Sequence, residues 1–267
     1  MYDLPSEDPE EAGLPDEFHD LQPQLLSRTL QLTDYTRDNY FTASDLNLYY
    51  DVEHPLWYKR PDWFLVVDVP RLYEGKELRR SYVTWQEGKY PYVVIEFLSP
   101  GTEVEDLGRF YDQGSKVPDG GATAPVVTAP ENGLEQPTEA KLPGKLEVYE
   151  QYLRVPHYIV YNRYTQQLRY FKLDGGRYQE QSPSPENPLL WLPDLEIGLG
   201  IWQGVFEEAS SYWLRWCDWE GNWLLTDTEQ AQAQLLQAAQ NLLATGMEMS
   251  QVAQILGLSE AQIKAIP

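Results

Sequence analysis

Cysteine is almost absent: Cys217 stands alone among 267 residues. It has no partner for an internal disulfide, and no Cys-x-x-Cys pair exists, which fits a reducing, cytoplasmic setting. Histidine is nearly as scarce. His19, His54 and His157 lie far apart in the sequence, a poor basis for a zinc site. No stretch approaches about 18 consecutive apolar residues, so no membrane-spanning helix is expected. Positive charge is the third shortage. Twenty Lys and Arg face 42 Asp and Glu, for a net charge of −22. That argues against a broad basic surface for nucleic acid, because phosphate binding is driven by Lys and Arg displacing counterions. It also disfavours a polybasic membrane anchor.

The acids are unevenly spread. Asp3, Glu7, Asp8, Glu10, Glu11, Asp16, Glu17 and Asp20 crowd residues 1–20 without a single Lys or Arg, which leaves −14 for the remainder. With Pro5, Pro9 and Pro15 among them, residues 1–22 read as an acidic disordered leader. The segment lacks the basic and apolar regions of a signal peptide. Core material is plentiful: 42% of the chain is hydrophobic, with nine Trp and nineteen Tyr. The length suits one domain, or one with a small appendage.

Two Pro-flanked apolar runs read as strands, 62–69 after Pro61 and 92–98 between Pro91 and Pro100. The polar stretch between them has room for a hairpin and holds the densest basic cluster, Arg71, Lys76, Arg79 and Arg80. Residues 112–144 hold five prolines and five glycines and read as an insertion or loop. Leu146, Tyr149 and Leu153 recur at helical spacing from Lys145 to the approach of Pro156. "HYIVYN" (157–162) reads as a buried strand, 167–173 and 177–181 as a hairpin about Gly175-Gly176, 189–225 as further β-structure, and 228–265 as helices with turns at Gly246 and Gly257.

A carboxylate inside an apolar strand is costly unless it faces a cation or an open site. Glu96 in "YVVIEFLS" is such a residue, and Asp62 opens the preceding strand. If the two strands pair, both acids converge on one hard cation, and Mg2+ suits one or two carboxylates completed by water and phosphate. Read from the residues alone, periodicity favours the plainer alternative, Glu96 facing solvent on a half-exposed strand.

In order, "RPDWFLVVDV", "YVVIEFLSPGTEVEDLG" and "KLEVYEQYLRVPHYIVYN" resemble the Uma-two family of restriction-endonuclease-like proteins, within the PD-(D/E)XK nuclease superfamily. The resemblance covers roughly residues 40–200. It implies an α/β (α+β) fold: a mixed central sheet flanked by helices over 23–225, with added antiparallel hairpins and a helical C-terminal tail at 226–267. It also implies a Mg2+- or Mn2+-dependent endonuclease acting on DNA. By that resemblance Asp62 and Glu96 are the metal ligands. Leu98 stands where the superfamily has its lysine, and the family supplies it instead from the next helix, at Lys145. Tyr149, one turn on, is matched as a further catalytic residue, bonding Lys145 or a phosphate, or filling the core. Asp106 and Ser99 are expected to support the site from behind, as turn or helix caps. Arg79 and Arg80 are the expected substrate contacts. Asp106 and Lys145 lie 39 residues apart, across the insertion, so Lys116 and Lys141 within it remain alternatives to Lys145.

The chemistry makes sense of these residue types. A metal held by two acids polarises the phosphate and acidifies its water, and an ammonium stabilises the developing charge. A second reading is a catalytically silent member of the fold serving as a binding or assembly module. A third, carbohydrate chemistry, rests on Trp and Tyr richness and paired acids. The last helices resemble a helix-turn-helix, yet "SEAQIKAI" has one base, Lys264, and reads better as a tail for packing or self-association. A homodimer suits duplex cleavage, with the aromatic 189–225 stretch as an interface. The charge implies weak, metal-dependent, salt-sensitive substrate binding, or a substrate other than long duplex DNA.

Overall fold

The computed structural model describes residues 16–99, 101–111, 142–182 and 188–264. The elements run α1 (Glu17–Thr29), β1 (Tyr40–Ala43), β2 (Leu48–Tyr49), β3 (Tyr58–Lys59), β4 (Trp63–Val67), β5 (Tyr82–Val83), α2 (Thr84–Glu87) and β6 (Val93–Phe97). Then come α3 (Glu103–Leu107), α4 (Lys145–Glu147) with a π-helical turn (Val148–Tyr152), β7 (His157–Asn162), β8 (Gln167–Asp174) and β9 (Arg177–Gln181). The chain continues through β10 (Leu190–Leu192), β11 (Ile197–Phe206), β12 (Ala209–Cys217), α5 (Asp227–Ala244), α6 (Met249–Leu256) and α7 (Glu260–Lys264).

The central sheet has six strands in the order β1-β4-β6-β7-β8-β9, antiparallel throughout except for the parallel pair β6/β7. This is the expected mixed sheet. A parallel pair needs a long crossover, and here it is the chain from Leu98 to Pro156, which carries α3 and α4. Every residue of β4, β6 and β7 is buried, because both sheet faces are covered and the strands are accordingly near-continuous in apolar residues. On one face α1 and the β10-β11-β12 sheet enclose Trp63, Ile95, Phe97, Trp213 and Trp216. On the other, α3 and α4 enclose Phe64, Val94, Leu98, Leu146 and Tyr149.

Residues 16–22, expected to belong to the acidic leader, are folded. Asp16 accepts the His19 N–H at 3.1 Å and caps α1, and Glu17 and Asp20 occupy its first turn, where a helix favours negative charge. Phe18, Leu25 and Leu26 are buried by the same helix. Gln22 anchors it to β12, its amide bonding both the N–H and the carbonyl of Leu214 at 2.7 and 2.8 Å. Acids that read as a solvated run are therefore, from Asp16 onward, a helix start. Residues 1–15 lie outside the described ones, as does most of the 112–144 segment, with Lys116 and Lys141.

The C-terminal helices fold on themselves. A capping box between Thr226 and Glu229 starts α5, and Glu229 also pairs with the buried Arg215 of β12. Beyond that anchor, α5, α6 and α7 share a small core of Ala239, Val252 and Ile263. Among the described residues no helix is long and apolar enough to cross a membrane.

Candidate active site

Asp62 stands one step beyond the Trp63–Ile95 pair, opposite Glu96. The two residues hold each other's strands. The Asp62 carboxylate accepts the Phe97 N–H at 2.6 Å, and the Asp62 N–H donates to Glu96 Oε2 at 3.2 Å. Strand alternation sends Phe97 toward α1 and Glu96 toward α4, together with Val94 and Leu98.

Glu96 is 0% exposed, which excludes the solvent-facing reading. Its Oε1 accepts the Tyr149 hydroxyl at 2.6 Å, and its Oε2 accepts Lys145 Nζ at 3.1 Å. Lys145 lies equally close to a second acid, with Nζ 3.0 Å from Asp106 Oδ1. Lys145 and Tyr149 share one helix face at i, i+4, as their spacing predicts. A π-turn then widens the helix, marked by the Leu153 N–H bonding the Val148 carbonyl at 3.0 Å. That wide turn buries three consecutive residues, Val148, Tyr149 and Glu150. Tyr149 reaches the site, while Glu150 turns to the sheet edge, where it binds Arg109, Arg177 and the Tyr178 N–H.

Gly108 lets α3 approach α4. Its φ is +48°, and a Cβ there would lie 2.6 Å from Leu146 Cδ2. Asp106 therefore arrives beside Lys145 from within α3. The turn or cap role expected of it does not hold, because Thr102 is the residue at the N-cap and the Asp106 side chain points inward, 1% exposed. Ser99 lies two residues past the end of β6, its carbonyl receiving the Thr102 N–H and hydroxyl, both at 3.2 Å.

The electrostatics follow from one cation among three acids. Burial pushes the Glu96 carboxyl well above its ordinary value, and the charges of Asp62 and Asp106 add to the rise against the pull of Lys145. Asp106 is raised by burial and by Asp62. Burial works to lower Lys145, but Asp106, Glu96 and Asp62 outweigh it and hold the ammonium well above its usual range. Hard oxygen donors crowded around a single compensating ammonium suit a divalent cation. Asp106 adds a third buried carboxylate to that set, 3.0 Å from the Lys145 ammonium. Among the described residues no three Asp, Glu, His or Cys form a metal cage of their own. The donor set fits an ion that keeps water and phosphate ligands, as Mg2+ does, rather than a structural zinc.

Two expectations need correction. Tyr149 is fully buried and its hydroxyl is spent on Glu96, so it positions that carboxylate and does not bond Lys145 or reach a substrate. Arg79 is no substrate contact at this site. Its guanidinium is 1% exposed, bonds Glu87 at 2.7 and 2.9 Å and the carbonyls of Arg71 and Pro70, and stacks on Phe41. Pro70 lies past the far end of β4 from Asp62, with the whole five-residue strand between them. Arg80 is exposed in the same distant region.

A third group went unnoticed in the sequence. His19 Nδ1 lies 2.8 Å from Asp16 Oδ1, and its Nε2 lies 3.3 Å from Ser99 Oγ and 3.4 Å from the Phe97 carbonyl. Burial opposes its protonation, but the hydrogen bond to Asp16 and the charges of Asp62 and Asp16 raise its pKa. The available signal was Asp16-x-x-His19, a capping pair hidden within an acidic run.

A family model described as "Putative restriction endonuclease", Uma2, matches residues 1–202. The chain belongs to the Uma2 family. All the residues of the Asp62, Glu96, Asp106, Lys145 and Tyr149 cluster fall within the match to Uma2, as do His19 and Arg163. Most of β11 lies within it too, while β12 and helices α5–α7 lie beyond its end. No curated protein and no solved structure matches the chain.

Proposed function

We propose that this protein is an endonuclease that hydrolyses phosphodiester bonds in DNA with the help of Mg2+ or Mn2+, held by Asp62 and Glu96. The observation that carries the reading is the buried Glu96, gripped by Lys145 and Tyr149 with Asp62 across from it. A purely structural core has little use for three carboxylates around one lysine, since each desolvated charge costs several kcal/mol.

Each side chain has a task. Asp62 and Glu96 would hold the ion, whose chemistry is to polarise the phosphate and acidify a water. Tyr149 fixes the Glu96 carboxylate in one orientation. Lys145, partly exposed like Asp62, directs its ammonium to the attacking water or to the negative charge growing on the phosphoryl oxygens. Asp106 keeps Lys145 charged and in place. Cutting both strands of a duplex calls for two such sites, hence two copies of the chain. The single, buried Cys217 is consistent with a cytoplasmic setting.

Titration calorimetry with Mg2+ and Mn2+, beside cleavage of supercoiled plasmid, tests the reading. The native protein should bind the ion and nick DNA, while Asp62→Asn and Glu96→Gln lose ion binding and at least about 10²-fold in rate. Lack of divalent-ion binding by the native chain, with no cleavage of any DNA, would refute it.

A further inference from the structure

We infer that Arg163 and His19 form a second, cationic subsite that holds a backbone phosphate of the nucleic acid beside the one being cleaved. This rests on the phosphodiester reading above and names the residues that supply the positive charge Arg79 and Arg80 do not.

The argument begins with the sheet. β6 and β7 are parallel, with Phe97 beside Tyr161, so both end at the same edge and Arg163 emerges next to Ser99. Alternation along β6 puts Glu96 and its partners Lys145 and Tyr149 on the α4 face, and Phe97 on the α1 face with Phe18. Asp62 stands between, bonded to the Phe97 N–H at the strand itself. A strand of nucleic acid laid across this edge with one phosphate at Asp62 and Lys145 must continue over the α1 side. The groups it meets there are His19 and Arg163.

Both are set up to receive an anion. They share a single carboxylate: Asp16 Oδ1 takes His19 Nδ1 at 2.8 Å, and Asp16 Oδ2 takes the Arg163 guanidinium. With His19 protonated, two cations on one carboxylate leave positive charge over, in a chain of net charge −22. His19 Nε2 meets only long contacts, 3.3 Å to Ser99 Oγ and 3.4 Å to the Phe97 carbonyl, and both are beyond the usual length of a good N–H···O bond. Arg163 is kept in place by packing over Phe18 and Tyr164, 5.1 and 4.7 Å from the ring centres, and remains 27% exposed. Its Nη2 is bonded to Asp16 and, at 2.7 Å, to the Tyr164 hydroxyl, and its Nε and Nη1 meet no hydrogen-bond acceptor among the described residues; a planar guanidinium held in this way matches phosphate better than a lysine does. Other bases near the strand ends are engaged elsewhere, Lys59 with Glu105 and Arg60 with Asp45.

The test is fluorescence anisotropy of a short duplex DNA bound to the full chain, with Ca2+ in place of Mg2+, over a range of salt. Arg163→Gln should weaken binding about fivefold to tenfold and flatten the slope of log Kd against log salt by about 0.9, the contribution of one phosphate contact. His19→Gln should weaken binding in the same direction, Arg163→Lys should restore the slope, and Arg80→Gln should change neither. Melting temperature and ion-binding calorimetry run on each variant show whether it is folded. A role confined to anchoring α1 would lower the melting temperature of Arg163→Gln and leave the salt slope of its folded fraction at the native value, which overturns the inference. Native-like affinity and slope in both folded variants would overturn it too, with the nuclease reading intact. A native chain that neither binds nor cuts DNA would sink both.

Discussion

Replacing Lys145 with Met removes the one ammonium among three acids. Nζ is 3.1 Å from Glu96 Oε2 and 3.0 Å from Asp106 Oδ1, and those two carboxylates are 0% and 1% exposed. Stripping the partner from a buried ion pair costs about 3–5 kcal/mol, because the remaining charge is left without compensation. For a domain of this size that lowers the melting temperature by about 10 °C. The pH dependence has a definite sign. Folding raises Glu96 well above its ordinary 4.5, so the folded chain keeps a proton that the unfolded chain has released. Stability from this group is therefore lost as pH rises from the unfolded value through the folded one. Without the ammonium the folded value climbs further and the window of loss widens upward. Lys145 itself, raised above 10.5, contributes fully below its unfolded value and loses that contribution only as pH rises through its folded value. The Lys145→Met deficit should thus be present already at acid pH, where the ammonium contributes in full, and should grow as pH rises from 4.5 through the folded value of Glu96. Urea denaturation followed by tryptophan fluorescence at several pH values measures it, and Glu96→Gln in the same chain should recover much of the loss. A deficit under about 1 kcal/mol, flat from about pH 5 to 9, would refute the buried cluster.

Tyr149→Phe keeps the ring but leaves Glu96 Oε1 without its donor, and should cost about 1–3 kcal/mol in denaturant melts while weakening Mn2+ binding in calorimetry. Gly108→Ala, with φ +48° and a Cβ 2.6 Å from Leu146 Cδ2, should lose about 2 kcal/mol by the same assay. Because it pushes α3 from α4, it should also lower cleavage. Arg79→Ala breaks a pair whose side chains are 1% and 7% exposed and should cost about 3 kcal/mol. DNA affinity and its salt dependence should stay as in the native chain, since that pair is remote from the site.

How much was legible in the sequence depended on how local the signal was. The strands at 93–97 and 157–162 and the hairpin through Gly175-Gly176 arise from unbroken apolar runs and turn residues, which act over a few positions. The Lys145–Tyr149 face is legible for the same reason, as one helical turn. The helix after Lys145 departs from its predicted form because its π-turn serves two burials at once, Tyr149 inward and Glu150 to the sheet edge, and no local pattern records that. Asp106 was misjudged as a cap because its partner arrives from beyond residues 112–144. Arg79 looked like a free base because Glu87, eight residues on, is not recognisable as a partner until the turn between them is folded.

The motifs alone pointed to the family and, through it, to the mixed sheet, since each motif is a short-range pattern, while the pairing of the Asp62 and Glu96 strands stayed a condition that the fold met. Only the tertiary structure decided which charges meet. It brought Asp106 to Lys145, took Tyr149 out of contact with substrate, closed Arg79 onto Glu87 and set His19 at the end of β6. A charge acts through space and its energy depends on burial and distance, neither of which is written in the order of residues. The net −22 is a sum over the chain, but the chemistry depends on one ammonium and three carboxylates within a few ångströms.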